Sequence, residues 1–395
     1  MSSCIYLDNA STTAVDLRVM EEMLPFFTQY YGNASSTVHQ YGWEANEAID
    51  QAKLRLTDLL QVKKEELIFT SGATESINLA LRGVFDLYAP VAGRHIISCK
   101  TEHKAVLDTL DALEKKGATI SWLTTDIKGR ISLSDLKKAI QKDTILVCLM
   151  HGNNETGVVH PISQIGEICK EEGVLLFCDA TQTVGKIPVH PRKIGASLLA
   201  LSGHKFYGPK GIGALYISSE NPRVKLRPQI VGGGQQNGIR SGTLNVTGIV
   251  GLGKAAQLAK EQIAFDFSHA ANMIDSFFNA LENKLDGIHL NTPVDECLPH
   301  IINFSIEGVN TPELLAKISN KVAISAGSAC SSNSGRPSHV LKAMGLSQQI
   351  TASSVRVSVG RFTSEGEMKS AAQIIIDAVK ELRADNYRVD KSGVG

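Results

Sequence analysis

From about residue 65, short apolar runs alternate with amphipathic helical patterns, and this alternation limits the possible folds more than any other feature of the chain. ELIFT precedes SINLALRGVF, RHIIS precedes HKAVLDTLDALEKKG, and TILVCLM precedes SQIGEICKEEG; VLLFC, SLLAL and GALYI follow. Strands this apolar, separated by helices with one apolar face, imply a mainly parallel sheet covered on both sides. The expected class is α/β. After about residue 255 the pattern changes to a long helical stretch, KAAQLAKEQ through FFNALENKL, and then to HIINFSI, KVAISA and VRVSVG as strands among helices. That pattern suggests a smaller α+β domain. The expected division is a large domain over 16–258, with 1–15 and 259–395 forming the small one. The final DNYRVDKSGVG reads as a loose tail.

Bulk properties exclude several functions. Lys+Arg and Asp+Glu both total 40 in 395 residues, so no net field draws nucleic acid or an anionic membrane. The opening MSSCIYLDNAST lacks a basic and then apolar leader, and no apolar stretch reaches spanning length, so a cytoplasmic protein is expected. Seven cysteines stand singly at 4, 99, 148, 169, 178, 297 and 330, with no CxxC pair. This argues against a disulfide framework or a zinc ribbon, and no metal site is expected. Cys148 and Cys178 sit inside apolar runs and read as buried small hydrophobes.

In open sheets of this kind, ligands bind outside the carboxyl ends of the strands. The polar segments there are TSGATES (70–76), KTEH (100–103), HGNNETG (151–157), DATQ (179–182) and SGHK (202–205), which should gather on one edge. SGATES brings a glycine turn into a helix start, where the amides of Ala73 and Thr74 and the hydroxyls of Ser71 and Thr74 can seat a phosphate. Ordinary Ser/Thr capping is the competing reading of that segment. A retained phosphate needs further donors, which Ser202 and His204 can supply. GxxxxGK[ST] is absent, and GPKGIG at 208–213 neither follows a strand nor opens a helix, so nucleotide binding is disfavoured. Asp179 ends an apolar run and needs a cationic partner. A salt bridge to Lys205 satisfies it, and so does a protonated pyridine nitrogen opposite Asp179 with an aldehyde condensed on Lys205. Pyridoxal 5'-phosphate carries all three handles. Lys210, in PKG, reads as a solvated turn residue.

YLDNASTT, GNASS, SGATES, EHKAVL, NNETG, DATQ, SGHKFYGPKGIG, GGG with NGIRSGT, GSACSS and VRVSVGRFT, in this order from Tyr6 to Thr363, resemble the cysteine desulfurases of the NifS/IscS kind. These are class V members of the fold-type I pyridoxal-phosphate enzymes. The resemblance implies a fold-type I transferase fold and a reaction converting L-cysteine to L-alanine. It assigns the cofactor aldehyde to Lys205, the ring nitrogen to Asp179, the ring hydroxyl to Gln182 and ring stacking to His103. Thr74, Ser202 and His204 would bind the phosphate, with Thr243 reaching it from a second subunit, so a homodimer is implied. Asn154 and Arg356 would hold the substrate carboxylate; from local sequence alone, Asn154 is a turn residue and Arg356 a solvated strand residue.

Cys330 lies in SAGSACSSNSGRPS, a run without apolar periodicity that reads as an exposed, mobile loop over about 325–338. An incidental surface thiol is the competing reading of the local sequence, and Arg336 and His339 would lower the thiol pKa if they lie close. The resemblance makes the Cys330 thiolate the nucleophile that takes sulfur as a persulfide. The longer serine-rich loop matches the subgroup that supplies iron–sulfur scaffold proteins and tRNA-thiolation carriers. A selenocysteine lyase or a class V aminotransferase would share Lys205, Asp179 and the phosphate seat. A non-catalytic sulfur-carrier docking protein is the alternative from another class. Three departures from the family pattern stand out: Ala34 where proline is usual, Gly152 where a larger apolar residue is common, and Gln236-Asn237 in place of charged residues.

Overall fold

The computed structural model describes residues 4–220, 222–326 and 338–392, with side chains described as far as residue 385. Cys330 and Arg336 therefore lie outside the described residues. In chain order the strands are β1 Ile5–Tyr6, β2 Leu67–Thr70, β3 His95–Cys99, β4 Thr119–Leu123, β5 Thr144–Met150 and β6 Leu175–Asp179. They continue with β7 Leu198–Ser202, β8 Gly213–Ile217, β9 Ile288–Leu290, β10 Ile301–Ile306, β11 Val322–Ala323 and β12 Ser354–Ser358.

The central sheet has the order β2-β8-β7-β6-β5-β3-β4. β4, β3, β5, β6 and β7 pair parallel, whereas β8 runs antiparallel to both β7 and β2. The expected mainly parallel α/β sheet is borne out. The reversal at β8 has a simple cause: residues 203–212 are too few for the crossover of a dozen or more residues that a parallel return needs. Every residue of β2, β3, β5, β6, β7 and β8 is buried, as their unbroken apolar runs require. Only Leu123 of β4 is fully buried. This strand closes one side of the sheet, and its mixed composition gave it no apolar run to read.

Alternate residues serve opposite faces. Ile68, Ile96, Leu146, Phe177 and Leu198 pack under the helices Ala73–Tyr88 and Lys104–Glu114, while Phe69, Ile97, Val147, Leu176 and Leu199 pack under Gln40–Leu60, Ile162–Glu171 and the start of Val246–Glu282. A second core, around Phe277, Phe304, Val355 and Ile375, covers the antiparallel sheet β12-β10-β9. The helix Val246–Glu282 serves both cores, with Ile249 to Ala259 in the first and Ala270 to Leu281 in the second.

One expectation is corrected. The helix Glu365–Ser392 runs through most of the segment read as a loose tail. Its apolar residues Met368, Ala371, Ala372, Ile375, Ile376 and Val379 follow helical spacing against the second core, and the polar residues beyond them simply continue the turn. Gln236, one of the three departures, has a role inside the fold: its side-chain amide accepts from Phe69 N at 2.7 Å and donates to Phe69 O at 2.9 Å. It thereby satisfies backbone groups on the outer edge of β2. Gly152 is enclosed, and a Cβ there would stand 2.7 Å from Thr183 Cγ2 and 3.0 Å from Leu298 Cδ1, so a larger side chain fits only if its neighbours move.

Candidate active site

The five polar segments converge as expected. Ser71 to Glu75, His103, Asn154, Asp179, Thr181, Gln182, Ser202, His204 and Lys205 line one cavity of about 520 Å³ at the carboxyl ends of the parallel strands. Arg356 closes it from β12, and Ala10 to Thr12 form a further wall.

Lys205 ends a single 3-10 turn, Gly203–Lys205, between β7 and β8. Its Nζ donates to Ala10 O at 2.7 Å and Ser11 O at 2.8 Å, so the amine lies in the cavity against the N-terminal segment. Two residues on, Tyr207 holds a left-handed backbone with φ of +69°, an uncommon and costly state for an aromatic residue. It is over-determined by its surroundings. Tyr207 N donates to Thr13 Oγ1 at 2.8 Å, and its hydroxyl accepts from Arg361 N at 2.6 Å and Lys186 Nζ at 3.2 Å. The ring lies between the Lys186 ammonium and the Arg361 guanidinium, 4.4 and 4.3 Å from its centroid.

Asp179, buried at the end of β6, accepts from Thr181 N at 3.0 Å and from the Thr181 hydroxyl. His103 caps the helix Lys104–Glu114 by accepting from Ala105 N at 3.1 Å. Burial lowers its basicity, Lys205 and His339 lower it further, and Asp179 opposes them. A neutral ring follows. Gln182 Nε2 donates to Ala10 O at 2.9 Å.

At the other end of the cavity, the helix Ala73–Tyr88 begins on Gly72 with no side-chain cap. The capping alternative for this segment is therefore set aside, and the amides of its first turn face the cavity with the positive end of the helix dipole. Gly72 has φ of +152°, and a Cβ on Gly213 would lie 2.7 Å from its Cα, so two glycines permit this close approach of loop and strand. Ser202 and His204 stand beside it. His204 bonds Thr12 Oγ1 at 3.1 Å through Nδ1 and is held to a pKa of about 4, first by burial and then by Lys205 and Lys210. Lys210, read from sequence as a solvated turn residue, lines the same cavity with Gly211.

Arg356 is not solvated. It is 1% exposed, with Nη1 donating to Asn154 O at 2.7 Å and Nη2 donating to Asp8 Oδ1 at 2.6 Å and Ser11 Oγ at 2.7 Å. Thr243 is exposed and does not line this cavity. Next to Asn154, the buried Glu155 accepts from Ser338 Oγ, and His339 Nε2 bonds Glu102 O at 3.0 Å. Asp8, Ser11, Thr12 and Thr181 had no assigned roles in the sequence. YLDNASTT, a polar stretch before any strongly periodic segment, was the available signal.

The donor set fits pyridoxal phosphate on chemistry alone. An amine, a buried carboxylate in the same cavity, and an uncapped helix start with a serine and a neutral histidine match its aldehyde, ring nitrogen and phosphate.

The family model described as aminotransferase class-V matches residues 5–370. The chain belongs to the aminotransferase class-V family. Within the family, it is 44% identical over 392 residues to "Cysteine desulfurase IscS" of Anaeromyxobacter dehalogenans, covering 99% of this chain and 96% of that one. It is also 44% identical over 398 residues to the protein of that name from Buchnera aphidicola, covering 100% and 98%. A solved "NIFS-LIKE PROTEIN" superposes with a TM-score of 0.89 at 36% identity over 95% of this chain and 99% of that chain. The expected resemblance to the NifS/IscS kind, and with it the fold-type I architecture, is borne out.

Proposed function

We propose that this chain is a pyridoxal-phosphate-dependent cysteine desulfurase that converts L-cysteine to L-alanine and retains the sulfur as a persulfide on Cys330. The observation that carries the reading is the convergence of Lys205 Nζ, Asp179 and Arg356 on one cavity, in a chain 44% identical to relatives that bear that name. When bound, pyridoxal phosphate withdraws electrons from the α-carbon of an attached amino acid. Lys205 would hold the aldehyde in the resting enzyme and, once displaced, take the α-proton at Nζ. Asp179 would keep the ring nitrogen protonated, and Gln182 would meet the ring hydroxyl. Neutral His103 would cover the ring and exclude water. Ala73, Thr74, Ser202 and His204 would hold the phosphate, and Asn154 and Arg356 the substrate carboxylate.

Cys330 would attack the substrate sulfur as its thiolate. The new S–S bond forms as the Cβ–S bond breaks, the electron pair goes to carbon, and a proton completes alanine. The persulfide would then pass to an iron–sulfur scaffold or tRNA-thiolation carrier. A homodimer, with Thr243 reaching the phosphate of the partner subunit, agrees with the exposed apolar side chains Leu24, Phe27, Tyr31, Val38 and Trp43 near the N-terminus. Among the described residues no helix is long and apolar enough to cross a membrane.

Mass spectrometry of protein incubated with L-cysteine tests the reading: one added sulfur should appear on Cys330 as alanine accumulates. Cys330→Ala should abolish both. Continued catalytic sulfide release by that variant would instead favour a lyase that needs no enzyme persulfide.

A further inference from the structure

Ser11 contacts both reactive ends of the cavity. Its carbonyl accepts from Lys205 Nζ at 2.8 Å, while its hydroxyl oxygen accepts from Arg356 Nη2 at 2.7 Å. The segment around it is fixed on each side. Thr13 N and Oγ1 donate to His204 O at 2.9 and 3.0 Å, and Ala10 N donates to Ser358 Oγ at 2.9 Å. One residue thus spans the amine on the large sheet and the guanidinium on β12.

We propose that Ser11 is a positioning residue which, on a segment tied to the lysine turn through Thr13 and His204, holds Arg356 at a fixed distance from that turn and so selects α-amino acids over longer homologues. This rests on the roles given above to those two residues. The guanidinium is planar and rigid, so its orientation is fixed once its hydrogen bonds are. Asp8 and Ser11 occupy the two hydrogens of Nη2, and Asn154 O takes one from Nη1. An α-amino acid carries its reacting carbon directly on the carboxylate carbon, whereas a β-amino acid inserts one further bond of about 1.5 Å. A misplacement of about 1 Å at a reacting centre costs on the order of a hundredfold. A rigid spacing therefore discriminates between the two, and a loose one does not.

Ser11→Ala removes the hydroxyl and keeps the carbonyl that meets Lys205. The test is calorimetric titration of cofactor-loaded wild type and variant with L-alanine and with β-alanine, beside KM and kcat for L-cysteine. Loss of a hydrogen bond to a charged group should weaken L-alanine about tenfold. β-Alanine should change less than about twofold, KM should rise in step with L-alanine, and kcat should stay within about threefold. Ser11→Thr, which keeps the hydroxyl, should restore L-alanine affinity. Equal weakening of both ligands, unchanged L-alanine affinity, or no measurable L-alanine binding by wild type would each overturn the proposal. Should Ser11→Ala fail to fold, Ser11→Cys keeps the volume with a poor acceptor and carries the same expectation for the two alanines. If wild type makes no alanine from cysteine, the desulfurase reading fails, while the ratio of the two affinities still decides the role of Ser11.

Discussion

Replacing Asp266 by alanine should lower the melting temperature by about 4 °C. Asp266 sits midway along the helix that serves both cores and accepts from Arg361 Nε at 3.1 Å and Nη2 at 2.6 Å. Both side chains are nearly buried, 5% and 6% exposed, so the pair is not a screened surface contact. Removing one partner of a buried pair costs about 3 to 5 kcal/mol because it strands the other charge. Arg361 keeps Asp16 Oδ2 at 3.0 Å and the Tyr207 ring, which places the loss at the low end, about 3 kcal/mol. For 395 residues, an unfolding entropy of about 2.1 cal/mol/K per residue gives about 0.8 kcal/mol/K, hence the shift of about 4 °C. Thermal unfolding followed by circular dichroism, at fixed protein and cofactor concentration, measures it. Adding Arg361→Met to Asp266→Ala removes the stranded cation and should recover part of the loss, since Asp16 keeps Arg18 at 2.7 Å while the contact with the Tyr207 ring goes. If the double variant melts no higher than Asp266→Ala, the cost was packing and the charge argument is wrong.

Lys205→Ala should leave cofactor-supplemented protein without the absorbance of a bound imine and without a borohydride-trapped adduct, and should lower alanine production at least about a hundredfold. Retention of the adduct would remove the chemistry assigned to that amine. His160 is buried, neither ring nitrogen has a partner among the described residues, and burial holds its pKa at about 4. The unfolded chain binds a proton there below about pH 6.5 and the folded chain only below about 4, so stability is full above 6.5 and falls as pH drops between them, by about 3 kcal/mol. Urea unfolding of His160→Leu across that range should show a flatter slope than wild type; an equal slope refutes the assignment.

Much of the large sheet was legible because its strands are buried on both faces and their apolar runs are unbroken. β4 and β9 escaped for the opposite reason: each has a partly exposed pattern, and pairing with a neighbour, not composition, makes it a strand. The uncapped helix start that lines the cavity was readable as a glycine turn into a helix. That Arg356 lines the cavity was readable only by resemblance, since nothing in VRVSV indicates that Asp8, 348 residues away, pairs with it.

That long-range pairing also explains why the N-terminal segment stayed silent. A residue such as Ser11 has no periodicity and no charge, and it is noticed only because its contacts reach both the turn after β7 and the strand β12. Lys205 follows a strand of the large sheet and Arg356 lies on a strand of the small one. Described hydrogen bonds from Lys205 Nζ to Ala10 and Ser11, and from Arg356 to Asp8 and Ser11, link them through one short segment. Tyr207, through Arg361, makes a second link from the lysine turn to the same unit. The placing of Lys205 and Arg356 on one cavity thus involves contacts far apart in sequence, the level of structure that periodicity and composition carry least.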